Sequence, residues 1–247
     1  MIGIVLAGGN GTRLKPLTSI TNKHLLPVYN KPMIFFPIEF LARLKIKDIV
    51  IISGKEFAGA FANLLGDGSE FNIRLTYKVQ NSALGIAHAI GLAENIAKGD
   101  SITVILGDNI FSLTDYEVKK ISNDLHKFEK TKKGAMIFLK RVRNPQRFGV
   151  AHIKARKVIN IEEKPKQPKS NLAVTGLYIY DNTVFDKIKE LKPSWRNELE
   201  ITDVNNKYIG EMALKYHTIR GNWTDAGTFE SLFLANKIVR EKEIKSR

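Results

Sequence analysis

Short apolar runs alternate with helical stretches along most of this chain, and that alternation restricts it to α/β architectures with a mainly parallel sheet and helices on both faces. The series predicts a strand at Ile2 to Leu6, a helix near Met33 to Leu44, a strand at Ile49 to Ile52 and a helix near Phe57 to Leu65. It continues with a strand at Ile73 to Val79, a helix at Gly85 to Ile96 and a strand at Ile102 to Leu106. Beyond a helix at Tyr116 to Glu129 the pattern turns strand-rich: Ala135 to Leu139, Gly149 to Ile153, Val158 to Ile161 and Ala173 to Tyr180. Lys154-Ala155-Arg156 reads as a hairpin, so antiparallel strands are expected here, forming the second wall of a cleft. Helices at Val184 to Leu191 and Thr202 to Tyr208, a strand at Ala213 to His217 and a helix from Thr228 to about Glu243 complete the series.

The first strand runs directly into Ala7-Gly8-Gly9-Asn10-Gly11-Thr12-Arg13-Leu14. Glycines after a strand let backbone approach a ligand and turn N–H groups toward phosphate oxygens, and Arg13 adds a fixed cationic fork. Neither the Gly-Lys-Ser/Thr ending of the P-loop nor the third glycine of a dinucleotide fingerprint is present, Leu14 standing at the latter position. The alternative is a tight connection needing left-handed residues.

Ligands of open parallel sheets gather beyond the carboxyl ends of the strands, and Gly107-Asp108-Asn109 falls at such an end. Asp108 is therefore either a Mg²⁺ ligand, one of the few carboxylates such a site needs beside substrate phosphates, or the cap of a turn. Asp225, in Trp223-Thr224-Asp225-Ala226-Gly227, is either a second ligand or part of the N-cap of the last helix. Arg13, Lys23, Lys164 and Arg196 are the cationic candidates, with Glu162 and Glu163 available as charge partners.

The 247 residues carry 39 Lys and Arg against 25 Asp and Glu, a formal charge of +14, which raises nucleic acid or an anionic surface as partners. The basic residues are scattered in short clusters, and no helix-turn-helix, zinc-finger or RNA-binding signature accompanies them, so neither nucleic acid nor membrane is expected. Without cysteine there is no disulfide, thiolate metal site or cysteine nucleophile. No H-E-x-x-H or Gly-x-Ser-x-Gly pattern supports zinc hydrolysis or acyl transfer, and His88 and His152 read as packing or turn residues. The absence of an apolar run of about 18 residues and of room for a leader before Ile2 points to the cytoplasm.

Taken together, Leu6–Leu14, Asn22–Val28, Leu106–Asn109, Arg147–Val150, Glu162–Pro165, Ala173–Tyr178, Glu198–Asp203 and Trp223–Gly227 resemble, in order, the segments of the sugar-phosphate nucleotidyltransferases, above all the glucose-1-phosphate thymidylyltransferases. The resemblance implies attack by a sugar 1-phosphate on the α-phosphorus of dTTP, giving a nucleotide sugar and pyrophosphate. It implies that Leu6, Gly8, Gly9, Gly11, Thr12, Arg13 and Asp108 meet the nucleotide, that Lys23 holds its phosphates and that Gln80 and Gly85 meet the base. Mg²⁺ falls to Asp108 and Asp225. Lys164 and Arg196 would bind the sugar phosphate, with Gly149, Glu163, Val174 and Tyr178 around the sugar. Arg13, Lys23, Lys164 and Arg196 are the catalytic cations.

The resemblance also implies one nucleotidyltransferase domain, with a nucleotide-binding part at about 1–130, a sugar-binding part at about 131–227 and a C-terminal helix at 228–243, assembled as a homo-oligomer. His24 stands where longer relatives have Gln, and Ala83-Leu84-Gly85-Ile86 where they have Pro-Asp-Gly-Leu, which leaves UTP or another sugar 1-phosphate as alternative substrates. A nucleotide-sugar-binding module without catalysis is the remaining alternative. The chain, which stops soon after the helix expected to end near Glu243, is similar to the short form, which includes spore-coat polysaccharide enzymes.

Overall fold

The computed structural model describes residues Met1–Lys245. Its strands are β1 (Ile2–Ala7), β2 (Pro27–Val28), β3 (Lys31–Pro32), β4 (Asp48–Gly54), β5 (Arg74–Gln80), β6 (Ile102–Leu106), β7 (Asn109–Ser112), β8 (Ala135–Arg141), β9 (Gly149–Lys154), β10 (Lys157–Glu163), β11 (Leu172–Tyr180), β12 (Leu214–Thr218) and β13 (Asn222–Asp225). The helices are α1 (Phe35–Arg43), α2 (Ala58–Leu65), α3 (Ile86–Gly91), α4 (Glu94–Ala97), α5 (Asp115–Thr131), α6 (Val184–Lys189), α7 (Ile201–Gly210) and α8 (Phe229–Lys245). They form two compact units interleaved along the chain.

The glycine-loop unit comprises Ile2–Ala83, Ile105–Ser122 and the chain from Gly221 onward. Here β1 pairs with β4 and β4 with β5, both in parallel, the arrangement expected of strands separated by helices. Ile4, Val5, Ile51 and Ile52 are completely buried, each such side chain stabilising the fold by roughly 1.5–3 kcal/mol. A second apolar cluster joins Leu14, just past the glycine loop, to Leu26, Val28 and Met33, to Ile110 and Ala226, and to Leu232, Ala235 and Val239 of α8. It fixes the exit of the glycine loop against β7, the chain just after β13, and α8.

The strand-rich unit comprises Met1, Leu84–Val104 and Asn123–Arg220. Here β9 and β10 form the expected hairpin, with Ala155 and Arg156 at φ 49° and 61°, the left-handed pair that a two-residue turn demands. β11 runs antiparallel to β8 and touches β9 at Ala173, opposite Val150. β12 adds to β8 in parallel. The chain thus has the fold class read from its sequence, mainly parallel strands flanked by helices with an added antiparallel part.

Two readings need correction. The helix expected from Gly85 to Ile96 is two helices, because Leu92 and Ala93 donate to carbonyls three residues back, Ala89 and Ile90, and break the α-helical ladder beside Gly91. Asp225 is not in the cap of the last helix but at the end of β13; Thr228 and Ser231 cap α8 reciprocally, each backbone N–H donating to the other's hydroxyl.

Candidate active site

In the glycine-loop unit the loop is shaped by what lies against it. A Cβ at Gly8 would come 2.5 Å from Oε1 of Gln80, and one at Gly9 3.2 Å from Cε of Lys23. Gly11 alone is left-handed, at φ 63°, and its carbonyl accepts from the Thr18 hydroxyl at 2.8 Å. Close approach by Gln80 and Lys23, rather than left-handed backbone throughout, therefore accounts for Gly8 and Gly9. The loop also carries Thr12 and Arg13, both exposed, and Leu6 at its entry accepts from the N–H of Gly107 at 2.8 Å.

Asp108 and Asp225 lie far apart in sequence, and the pairing of β7 with β13 brings them together. In that antiparallel ladder Asp225 stands opposite Asn109, and the next N–H, of Ala226, donates to the Asp108 carbonyl at 2.8 Å. The indole N–H of Trp223 donates to Asn109 Oδ1 at 2.7 Å, and Asn109 Nδ2 donates to Asp108 Oδ1 at 2.9 Å. The result converges at Gly227: the point where its Cβ would stand is 3.1 Å from Arg13 Nη2, 3.3 Å from Asp225 Oδ2 and 3.5 Å from Asp108 Oδ2.

The Lys23 ammonium donates to Asp108 Oδ2. Burial works to raise the Asp108 carboxyl, but the Lys23 charge and hydrogen bond, with the Asn109 amide, hold it well below the usual carboxylate range. His24 lies under the Gly107–Asp108 turn, so close that a Cβ at Gly107 would come 2.7 Å from its Cδ2. Its Nδ1 is 2.7 Å from Asn22 Oδ1, which also caps the turn by accepting from the His24 N–H at 3.0 Å. Burial and the neighbouring Lys23 charge lower the imidazole to about 3, so it is neutral at physiological pH. Among the described residues no three His, Asp or Glu side chains gather as a complete metal cage. Two hard carboxylates facing one space instead fit a cation such as Mg²⁺, which takes few protein ligands and completes its shell with water and phosphate oxygens.

In the strand-rich unit, Glu163 ends β10 opposite Gly149, and its Oε2 accepts from the Thr202 hydroxyl at 2.5 Å. A Cβ at Gly149 would be 3.2 Å from that hydroxyl and 3.4 Å from that carboxylate oxygen. Lys164 follows at φ 43°, its Nζ 3.6 Å from Glu163 Oε1. Arg196 reaches the same carboxylate, with Nη2 3.7 Å from Glu163 Oε1. Gly149, Glu163, Lys164 and Arg196 therefore share one neighbourhood.

Val174 and Tyr178 are buried in β11 on either side of a register shift, Tyr178 stacking on Tyr180 with ring centroids 5.9 Å apart. Gly85, at φ 100°, packs against the Leu199 backbone, where a Cβ would meet the carbonyl oxygen at 2.5 Å. Gln80 thus lies against the glycine loop, whereas Gly85 lies against the segment that follows Arg196.

Sequence reasoning did not single out Asn109, Trp223, Ser194 or Glu200. Glu200 takes Arg196 on both oxygens, from Nε at 3.0 Å and Nη2 at 2.7 Å. The spacing of four between Arg196 and Glu200 was the available signal; the Trp223–Asn109 bond, 114 residues apart, left none.

The model of the nucleotidyl transferase family matches residues 2–242. The glucose-1-phosphate thymidylyltransferase of Neisseria meningitidis serogroup A is 44% identical over 245 residues, covering 97% of this chain and 83% of the relative. That of Mycolicibacterium smegmatis is 44% identical over 248 residues, 99% and 84% of the two chains. Among solved structures, a Bacillus anthracis protein crystallised with sucrose, provisionally named a glucose-1-phosphate thymidylyltransferase, superposes with a TM-score of 0.90 at 52% identity, covering 97% of this chain and 96% of that one. A UDP-glucose pyrophosphorylase complexed with UDP-glucose, at TM-score 0.84 and 23% identity over 98% of both chains, shares the fold. The chain belongs to the nucleotidyl transferase family.

Proposed function

We propose that this protein transfers a thymidylyl group from dTTP to glucose 1-phosphate, forming dTDP-glucose and pyrophosphate for polysaccharide biosynthesis. The observation that carries the reading is the convergence of Arg13 Nη2, Asp225 Oδ2 and Asp108 Oδ2 on one point beside Gly227, next to the glycine loop. Relatives that are 44% identical and carry the thymidylyltransferase name support the choice of substrates.

In the proposed step an oxygen of the sugar phosphate attacks the α-phosphorus. That O–P bond forms as the bond from the α-phosphorus to the bridging oxygen breaks, and pyrophosphate leaves with the electron pair. No side chain need remove a proton, because a phosphomonoester is largely dianionic above a second pKa of about 6. The barrier lies in aligning two polyanions, and phosphoryl-type transfer is catalysed chiefly by positioning and charge stabilisation.

Arg13 and Lys23 hold the triphosphate and take up charge on the leaving group, with Leu6, Gly8, Gly9, Gly11 and Thr12 against the nucleotide and Gln80 and Gly85 against the base. Lys164 and Arg196 orient the attacking phosphate, and Gly149, Glu163, Val174 and Tyr178 line the sugar. Asp108 and Asp225 would hold Mg²⁺, which when bound neutralises phosphate charge. The two units act as one nucleotidyltransferase domain, with a nucleotide-binding part at about 1–130, a sugar-binding part at about 131–227 and the helix at 228–243, in a cytoplasmic homo-oligomer. No helix of the described residues is long and apolar enough to cross a membrane.

The test is pyrophosphate release across a matrix of dTTP and UTP against several sugar 1-phosphates, ranked by kcat/KM. The highest value is expected for dTTP with glucose 1-phosphate. No turnover with any pair would sink the reading, and tight nucleotide-sugar binding without turnover would replace it with a binding module.

A further inference from the structure

Arg196 is gripped in an unusual way for a residue assigned to an anionic substrate. Three carboxylates reach its guanidinium: Glu200 by two hydrogen bonds, Glu198 with Oε2 3.1 Å from Nη2 but without hydrogen-bond geometry, and Glu163 at 3.7 Å. Glu200 takes the Nε–Nη2 edge, and the contacts of Glu198 and Glu163 are likewise to Nη2. Among the described residues Nη1 has no hydrogen-bond partner.

The grip is itself built by a compact turn. The Ser194 hydroxyl donates to Glu200 Oε1 at 2.7 Å and accepts from the Arg196 N–H at 3.2 Å. The Ser194 N–H and carbonyl bond to the Glu198 carbonyl and the Asn197 N–H, and Asn197 takes the left-handed conformation, φ 57°, that closes the turn. The Glu200 side chain is 9% exposed, whereas that of Glu198 is 36% exposed. A buried carboxylate with both oxygens committed fixes a guanidinium plane; a half-exposed one at ion-pair distance mostly adds charge.

We propose that Glu200 is a positioning residue: by holding the Nε–Nη2 edge of Arg196 it presents the Nη1 edge to the phosphate of the sugar substrate, while Glu198 on the same guanidinium only opposes that phosphate. The two glutamates therefore act with opposite sign. This assignment rests on the thymidylyltransferase reading and adds to it a division of labour among the acids around one catalytic cation.

The experiment measures KM for glucose 1-phosphate and for dTTP, by pyrophosphate release, in the unsubstituted protein and in Glu200→Gln, Glu198→Gln, Arg196→Lys and the Arg196→Lys/Glu200→Gln double variant. Glu200→Gln keeps size and reach. It is expected to raise KM for glucose 1-phosphate on the order of tenfold to a hundredfold, as misplacement of a reacting group does, with KM for dTTP unchanged. Glu198→Gln is expected to lower KM for glucose 1-phosphate about twofold, the scale of a half-exposed ion pair. In the Arg196→Lys background Glu200→Gln is expected to add less than about twofold, because a group acting through another has nothing left to act on.

An unchanged KM in Glu200→Gln, an equal rise in both KM values, or a full effect in the Arg196→Lys background would overturn the proposal while the functional reading stands. Absence of turnover by the unsubstituted protein with any substrate pair would overturn that reading and this assignment with it.

Discussion

Each unit pairs a proposed catalytic cation with a carboxylate, but the pairs are built from opposite materials. In the glycine-loop unit Lys23 meets Asp108 across 85 residues of sequence, in a place created by long-range strand pairing. In the strand-rich unit Arg196 meets Glu200 across four residues, in a turn that closes on its own hydrogen bonds. The first arrangement exists only when the tertiary fold is complete, and its carboxylate is also the proposed metal ligand. The second is local, and its acid only orients. Damage to the first should therefore register in both stability and chemistry, and damage to the second in the use of one substrate.

The largest effect that sharpens this contrast is expected from Asp108→Asn. It leaves the Lys23 ammonium without its counter-charge in a largely buried place, and breaking such a pair typically costs about 3–5 kcal/mol. Pyrophosphate release should fall on the order of a hundredfold to a thousandfold, with a lowered Tm in the same variant. A Tm loss without a rate loss would break the comparison, since Asp108 would then be a fold element only.

Next in size is a pH effect on the same unit. His24 is lowered from the ordinary histidine value to about 3, so below about pH 6.5 the unfolded chain binds a proton that the folded protein refuses. The stability from keeping it neutral is fully present above that pH and is lost as the pH falls toward 3, at up to about 1.4 kcal/mol per unit. Thermal melts between pH 6.5 and 4.5 should show a steeper fall for the unsubstituted protein than for His24→Gln. Parallel curves would remove His24 from the account. Asp108, depressed in the folded state, adds its own loss only at lower pH, below the ordinary carboxylate range.

Asn109→Ala should cost about 1–3 kcal/mol by removing the acceptor of the buried Trp223 indole N–H. Denaturant melts would show the loss, with a rate loss expected beside it because the β7–β13 pairing carries both aspartates. The smallest effect is expected from Gly8→Ala, whose methyl displaces the far end of Gln80. KM for dTTP should rise about tenfold, one displaced contact being worth about 1.4 kcal/mol, with KM for glucose 1-phosphate unmoved. A shift in the second value instead would erase the division between the units.

The parallel strands, the strand-rich second half and the Lys154–Arg156 hairpin were legible because each left a periodicity or a turn of its own in the sequence. The glycine loop was legible as a loop, but not the reason for Gly8 and Gly9, which lies in Gln80 and Lys23 arriving from elsewhere. Asp225 looked like a helix cap because β13 is four residues long and its partner equally short, too brief for alternation to show. Its meaning depended on a register that pairs it with Asn109, and nothing local encodes that. Glu200 was hidden for a different reason: an acid four residues from an arginine is common on helix surfaces, and only burial separates a clamp from a solvated pair.

The bond between Lys23 and Asp108 gives the protein without substrates an internal counter-ion. Under the proposed function a nucleotide would exchange partners with this pair: the Lys23 ammonium would turn from the carboxylate to phosphate, and Asp108 would be left to hold a metal. In such a swap the ammonium and the carboxylate would each trade one charged partner for another, so affinity for nucleotide should vary less with ionic strength than a net charge of +14 suggests.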